Sequence, residues 1–288
     1  MRVTNKMIVD STINNLLKNS ERLQDLLISA SSGKRINNPS DDPIGISRVL
    51  DCRTDLSSIE QYERNIAQGT TWLNQTESVL TEVYNLMLDA QEVAISQANA
   101  TANQETRAAS AEVIGNIYDQ IVQLANTKSG NRYIFSGYST STAAFSSDGI
   151  YNGDTGEINV STGENAKVKI NLTGDNVFST TDIFGVLDAL KDALVNNPSE
   201  INNQLDGINN SIDHITEKTA YVGSRINQME TSENIYANLK LNIQDLLSTT
   251  EDVDMIQAAS DLAGQQNIYE ASLLSATKIM NMSLVNFM

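Results

Sequence analysis

The feature that most limits the folds open to this chain lies in its last thirty-odd residues. Leu262, Gln266, Tyr269, Leu273, Ala276, Met280 and Phe287 fall on one helical seam, while Ile268, Leu274, Ile279, Met282, Leu284 and Met288 point in other directions. A helix that is apolar on more than one side must be covered on more than one side. One intramolecular partner cannot do that. The segment is not a membrane span either, because Ser272, Ser275, Thr277, Lys278, Asn281, Ser283 and Asn286 interrupt it, and spanning takes about 20 predominantly apolar residues.

The start of the chain answers the end. Ile13, Leu16, Ser20, Leu23, Leu27 and Ala30 alternate by three and four residues, a coiled-coil seam broken only at Ser20, which predicts one helix over about residues 5–31. The expected arrangement pairs the N- and C-terminal helices and packs that pair against copies in neighbouring subunits. The alternative is an antiparallel bundle that closes on itself.

The first helix stops in Ser31-Ser32-Gly33, and the stretch Lys34 to Pro43 then carries two of the chain's three prolines. Pro39 holds Asn38 extended, and Pro43 suits the first turn of a new helix capped by Asp41 or Asp42. That second helix is predicted from Ile44 towards Ala98 on the stripe Leu73, Thr76, Leu80, Val83, Met87, Ala90 and Ala94. A third, on Ile114, Ile117, Ile121 and Leu124, ends near Ser129-Gly130. The short polar link from Ala98 to Gln104 makes the two antiparallel neighbours.

From Asn131 to Asp182 the pattern becomes Gly-, Ser- and Thr-rich. Ile150-Tyr151, the turn residues Asn152 to Gly156, and Ile158 and Val160 predict a β-hairpin. Ala166 to Leu172 alternates, with Val168, Ile170 and Leu172 on one face and Lys167, Lys169 and Asn171 on the other. Asp182 opens a short helix to about Asn196. Beyond Pro198 a long helical stripe runs through Ile201, Leu205, Ile208, Ile212 and Ile215, and on through Met229, Leu239, Ile243 and Leu246 to an acidic break at Thr250–Asp254. The expected fold is mainly α with a small β-rich insertion. Terminal coiled-coil helices span 1–40 plus 255–288, a helical-bundle inner domain spans 41–130 plus 183–254, and a β-rich outer domain spans 131–182.

Composition removes whole classes of function. With 19 basic and 36 acidic residues the net charge is −17, and such a polyanion repels nucleic acid and anionic membranes, whose recognition needs clustered Lys and Arg. Cys52 is the single cysteine and His214 the single histidine. Neither a disulfide nor a His/Cys zinc site can be assembled within one chain. Any Ser-His or Cys-His centre would have to use His214, which sits in a helical stripe with no nucleophile signature beside it. The acidic groups Asp41-Asp42 and Asp252 with Asp254 lack the spacing of an EF-hand loop and read as helix caps and solvated breaks. No cofactor, metal or enzyme activity is expected, and the N-terminal residues offer no uninterrupted apolar run of the kind a cleavable secretory signal requires.

Two segments carry a resemblance. Ser31 to Gly45 resembles the corner that follows the first helix in the flagellin family, through Ser31-Ser32-Gly33, the basic pair Lys34-Arg35 before Ile36-Asn37, and Asp41-Asp42. Arg35, Asn37, Pro39, Asp41, Asp42, Pro43 and Gly45 make up this corner motif. Its Pro39 and Pro43 are similar to the family's junction-forming members rather than to its filament subunits. Glu251 to Asp254, Ala258 to Leu262, Gln265-Gln266 and Ser283 to Phe287 resemble the family's C-terminal helix. Residues 131–200 match nothing in the family's motifs.

The resemblance implies a structural role, export without a cleaved signal through the flagellar type III channel, and assembly at the distal end of the hook. It implies chain ends that become ordered only on assembly. The seam residues Ile13, Leu16, Leu23 and Leu27, with Leu262, Tyr269, Leu273, Met280 and Phe287, would form the assembly interface. The implied partners are the first hook–filament junction protein, flagellin, neighbouring copies of the chain and an export chaperone. A filament flagellin, and a surface adhesin using the β-rich insertion, stand as alternatives.

Overall fold

The computed structural model describes residues 5–98 and 103–285, and side-chain surroundings for 7–98 and 103–279. Among these residues the chain forms helices α1 (Asn5–Ser32), α2 (Pro43–Gln97), α3 (Gln104–Ala125), α4 (Ile183–Val195), α5 (Ile201–Glu251) and α6 (Met255–Val285). The short strands are β1 (Lys128–Ser129), β2 (Arg132–Tyr133), β3 (Asn159–Ser161) and β4 (Lys167–Lys169). The fold is mainly α with a small β-rich insertion. None of the described helices is long and apolar enough to cross a membrane.

The helix ends have local causes. Asn103 caps α3 by accepting from the Thr106 amide at 2.7 Å. Asp182, held at φ +49°, caps α4 by accepting from the Gly185 amide at 3.2 Å. Each cap satisfies an amide that the first helical turn leaves without a partner. Most of the polar link expected between α2 and α3, residues 99–102, lies outside the described residues.

The chain divides into two compact units, Met1–Ser58 with Leu239–Met288, and Ile59–Asn238. The second unit has a closed core. All seven residues of the α2 stripe from Leu73 to Ala94 are buried, as are Ile114, Ile117 and Ile121 on α3, Leu187 and Leu190 on α4, and Ile208, Ile215 and Val222 on α5. Beside this aliphatic core, Phe135, Phe145, Phe178 and Phe184 form one cluster with ring centroids 5.1–5.9 Å apart. Four of the chain's five phenylalanines thus gather where short loops, which lack a helical stripe, still need a core.

The hairpin expected across residues 150–160 is not the one that forms. β3 pairs antiparallel with β4, with Val160 opposite Val168, and Tyr151 bridges to Phe145 instead. The physical reason is Asp154. One of its carboxylate oxygens accepts from the amides of Tyr138 and Gly156, both at 2.7 Å, and the other from the Ser139 hydroxyl at 2.9 Å. Those bonds tie the segment to an earlier loop and hold the carboxyl below its usual pKa. Val168, Ile170 and Leu172 are buried as their alternation predicts. Asn171, placed on the polar face, is buried as well, because its amide accepts from Ile158 N and donates to Gly156 O, each at 2.8 Å.

In the first unit α1 and α6 pack against each other, antiparallel from a bridge between Lys34 and Asp252. The pair closes within one chain. Faces of both helices stay uncovered.

Candidate assembly interface

α1 carries two overlapping seams, and the structure uses the more polar one. The seam on α1 consists of the half-buried Val9, Thr12, Leu16, Asn19, Leu23, Leu26 and Ala30, and that on α6 of Ala258, Leu262, Gln265, Tyr269, Ser272, Ala276 and Ile279, of which Ala258, Gln265 and Ala276 are buried. Both series alternate by three and four residues, the spacing of knobs-into-holes packing. In the middle, the Asn19 amide donates to the Ser272 hydroxyl at 2.9 Å, and the Gln265 amide donates to the Asn19 carbonyl at 3.2 Å.

Of the expected interface residues, Leu16, Leu23, Leu262 and Tyr269 lie in this seam. Ile13, Leu27 and Leu273 do not: they are 42%, 46% and 39% exposed. These three lie one step around each helix from the intramolecular contact. Met280 lies in α6 with its side chain outside the described part, and Phe287 lies outside the described residues altogether. The uncovered stripes are Ile13, Leu17, Leu27 and Ile28 on α1 and Ile268, Leu273 and Leu274 on α6.

The corner is a dense hydrogen-bonded turn. Gly33, at φ +72°, ends α1 and donates to the Ser29 carbonyl at 2.9 Å, a left-handed C-terminal position that glycine fills without a Cβ penalty. Asp41 accepts from the amides of Asn38 and Asn37 at 2.8 and 3.0 Å, and these bonds hold its carboxyl below the ordinary value. Asp42 is the cap of α2. It accepts from the Gly45 amide at 2.9 Å and pairs with Arg35 at 3.5 Å, and the amide first, then Arg35, lowers its pKa. Pro43 opens the helix and Pro39 lies exposed in the turn. Asn37 donates through its side chain to the Lys34 carbonyl at 2.9 Å. Gly45 is required sterically, since a Cβ there would lie 2.6 Å from the Ile36 side chain and 2.5 Å from Asp42 Oδ2.

Sequence reasoning missed the residue on which the corner rests. Glu251, the last of α5, is a charged residue only 4% exposed. Its Oε1 takes Lys34 Nζ at 2.7 Å and Arg53 Nη2 at 2.5 Å. Its backbone carbonyl accepts from the Arg35 amide at 2.7 Å. An acidic residue at a helix end ordinarily reads as solvated; the available signal was the clustering of Lys34, Arg35 and Arg53 in an otherwise acidic chain.

The remaining candidates fall into ordinary roles. Asp252 accepts from the Ser248 hydroxyl at 2.6 Å, and Asp254 caps α6 by accepting from the Ile256 and Gln257 amides. Among the described residues no group of three or more His, Cys, Asp or Glu is placed to hold a metal ion. Cys52 is buried in α2. His214 is half-buried on α5, with Nε2 2.8 Å from the Asn176 carbonyl.

Comparison with known proteins fits this geometry. Residues 3–140 match the bacterial flagellin N-terminal helical region. Over 99% of its length the chain is 28% identical to flagellar hook-associated protein 3 of Escherichia coli (strain K12), covering 98% of that protein. A flagellin of Halalkalibacterium halodurans is 22% identical over 84% of the chain and 82% of its own length. The crystal structure of Bacillus cereus FlgL superposes with a TM-score of 0.63 at 27% identity, over 69% of this chain and 99% of that one. Residues 3–140 thus carry a flagellin N-terminal helical region, and nearly the whole chain is similar to a flagellar hook-associated protein.

Proposed function

We propose that the chain forms the layer joining the flagellar hook to the filament, at the distal end of the hook. The observation that carries the assembly part is the set of open apolar stripes beside an already satisfied seam. Fully burying a Leu- or Ile-sized side chain is worth about 1.5–3 kcal/mol, and Ile13, Leu17, Leu27, Leu273 and Leu274 stay 39–67% exposed within their own chain. Neighbouring copies that bring the same stripes together would bury them, so that α1 and α6 line the inside of a ring. The first hook–filament junction protein would meet this ring on the hook side and flagellin on the filament side, after escort by an export chaperone through the type III channel. What supports the junction position is similarity over almost the whole of hook-associated protein 3, together with the Pro39 and Pro43 corner.

A filament flagellin is the second reading, favoured by the match of residues 3–140 to the flagellin N-terminal region. Gold-labelled antibody against residues 131–182 on intact cells separates the two. A single label between hook and filament is expected. Label along the whole filament would make the chain a flagellin, and cells whose flagella carry no label would overturn both readings.

A further inference from the structure

Three pairs in the chain set a glycine directly after a side chain that the glycine amide can attack: Asp148-Gly149, Asn152-Gly153 and Asp206-Gly207. Ring closure needs the glycine nitrogen and the side-chain carbonyl carbon free to meet, and glycine, with no Cβ, leaves the approach open. The step is intramolecular, so local geometry decides whether it runs. The fold treats the three pairs differently.

Gly207 lies inside α5, where a helical amide is committed to a carbonyl four residues back. Gly149 donates its amide to the Ser146 carbonyl at 3.1 Å, and the Asp148 carboxylate accepts from the Ser147 hydroxyl at 3.3 Å. Asn152 and Gly153 carry neither restraint. Asn152 is exposed, and among the described residues neither its side-chain amide nor the Gly153 N–H has a hydrogen-bond partner. Their surroundings are nevertheless fixed: Asn152 N donates to the Ala144 carbonyl at 2.8 Å, and Asp154 N to the Ser136 carbonyl at 3.2 Å. Glycine at 153 is itself required, since a Cβ there would run into the Tyr151 hydroxyl. That hydroxyl lies between the carbonyls of Asp154 and Phe135, at 2.7 and 3.1 Å. Packing thus holds the glycine in place and leaves the asparagine before it unprotected.

We propose that Asn152 is a site of spontaneous covalent modification by deamidation. The Gly153 nitrogen bonds to Asn152 Cγ, the Cγ–Nδ2 bond breaks, and the proton from Gly153 leaves with Nδ2 as ammonia. Water then opens the succinimide at one of its two carbonyls, giving aspartate or isoaspartate. Overall an amide and water become a carboxylic acid and ammonia, with no oxidant, metal or partner. Isoaspartate lengthens the main chain by one methylene immediately before Asp154. The Asp154 carboxylate is what ties this segment to the earlier loop, through the Tyr138 amide and the Ser139 hydroxyl. Conversion therefore loosens the join between the two loops and sets a new carboxylate beside it.

The test is to hold the full-length chain in mildly alkaline buffer, where the amide nitrogen loses its proton more readily, and to follow its peptides by mass spectrometry. Trp72 fluorescence reports that the second unit stays folded throughout. The peptide containing Asn152 is expected to gain the mass that exchanges an amide for an acid and to split into two chromatographic products, at a rate close to that of the same chain in urea. Asn152→Ser, which keeps the backbone bond to Ala144, should abolish both changes. Amide exchange at Tyr138 and Gly156 should quicken as conversion proceeds and stay constant in Asn152→Ser. An Asn152 that remains intact in the folded chain would overturn the proposal, whether or not it converts in urea. Equally fast conversion at asparagines within the helices of the second unit would overturn the choice of site, and unchanged exchange after full conversion would overturn the loosening. Neither the terminal helices nor another protein takes part, so this result and the gold label can fail independently.

Discussion

The second unit and the terminal pair solve the same problem with opposite choices. In the second unit α2, α3, α4 and α5 hide their stripes so completely that Ile66, Leu80, Met87, Ile114 and Ile121 have essentially no exposure. In the terminal pair no position that repeats at seam spacing on α1 is fully buried, and the strongest apolar stripes are outside the contact. A closed core needs no partner. An open pair with a polar middle has the weaker interior that a surface meant for other chains allows.

That contrast can be tested by substitutions whose effects on the isolated chain run from large to small. Phe178→Ala empties the centre of the aromatic cluster, where Phe135, Phe145 and Phe184 all meet its ring. It should cost about 3–5 kcal/mol, read by denaturant unfolding followed through Trp72, with exchange in α1 and α6 unchanged. A cost below about 1 kcal/mol would mean the second unit is not the tightly packed half. Gly45→Ala forces a Cβ against Ile36 and Asp42 and should cost about 1–3 kcal/mol, seen as faster proteolysis at the corner with no change in Trp72 emission.

Acid should loosen the corner next. Asp41 and Asp42 have native pKa values below the ordinary one, held there by the Asn38 and Gly45 amides. A depressed native pKa gives stability that is fully present above the unfolded value of about 3.9 and is lost as pH falls through the native value. The amide resonances of Asn37, Asn38 and Gly45 should therefore shift only below about pH 4. A transition near neutrality would break the assignment of those carboxylates as caps. The smallest effect on the chain alone belongs to Leu273→Asp. At an exposed site it should change unfolding by no more than about 0.5 kcal/mol, yet abolish assembly, since in the assembled state it would bury an unpaired carboxylate. Filaments of normal appearance on cells carrying Leu273→Asp would sink the idea that this stripe is an interface.

Much of the fold was legible because helices advertise themselves by periodicity. The stripe from Leu73 to Ala94 gave α2 almost to the residue, and Pro43 after Asp42 marked its start. Periodicity says how apolar a face is and not what lies opposite it, which is why the intramolecular contact through Asn19, Gln265 and Ser272 was not legible. The insertion was harder for a related reason. Asn152-Gly153 is a turn signal whether it closes a hairpin or an irregular loop, and the choice was made by Asp154 bonding to residues 15 and 16 positions earlier. Glu251 was hidden because burial of a carboxylate depends on cations brought from 198 and more residues away.

The bridge between Lys34 and Asp252 also sets an order of events in folding. Its two strands are separated by about 218 residues, and closing a loop costs free energy that grows with the logarithm of its length. Once the second unit has formed and the rings of Tyr62 and Tyr236 lie 5.4 Å apart, only about 44 residues of the loop remain to be closed, a saving of roughly 1.4 kcal/mol, or about tenfold in the equilibrium for closure. Each chain therefore completes its middle first and its two ends last. In refolding experiments Trp72 should report the early phase, and the ends, which no early contact holds, stay available until the rest of the molecule is in place.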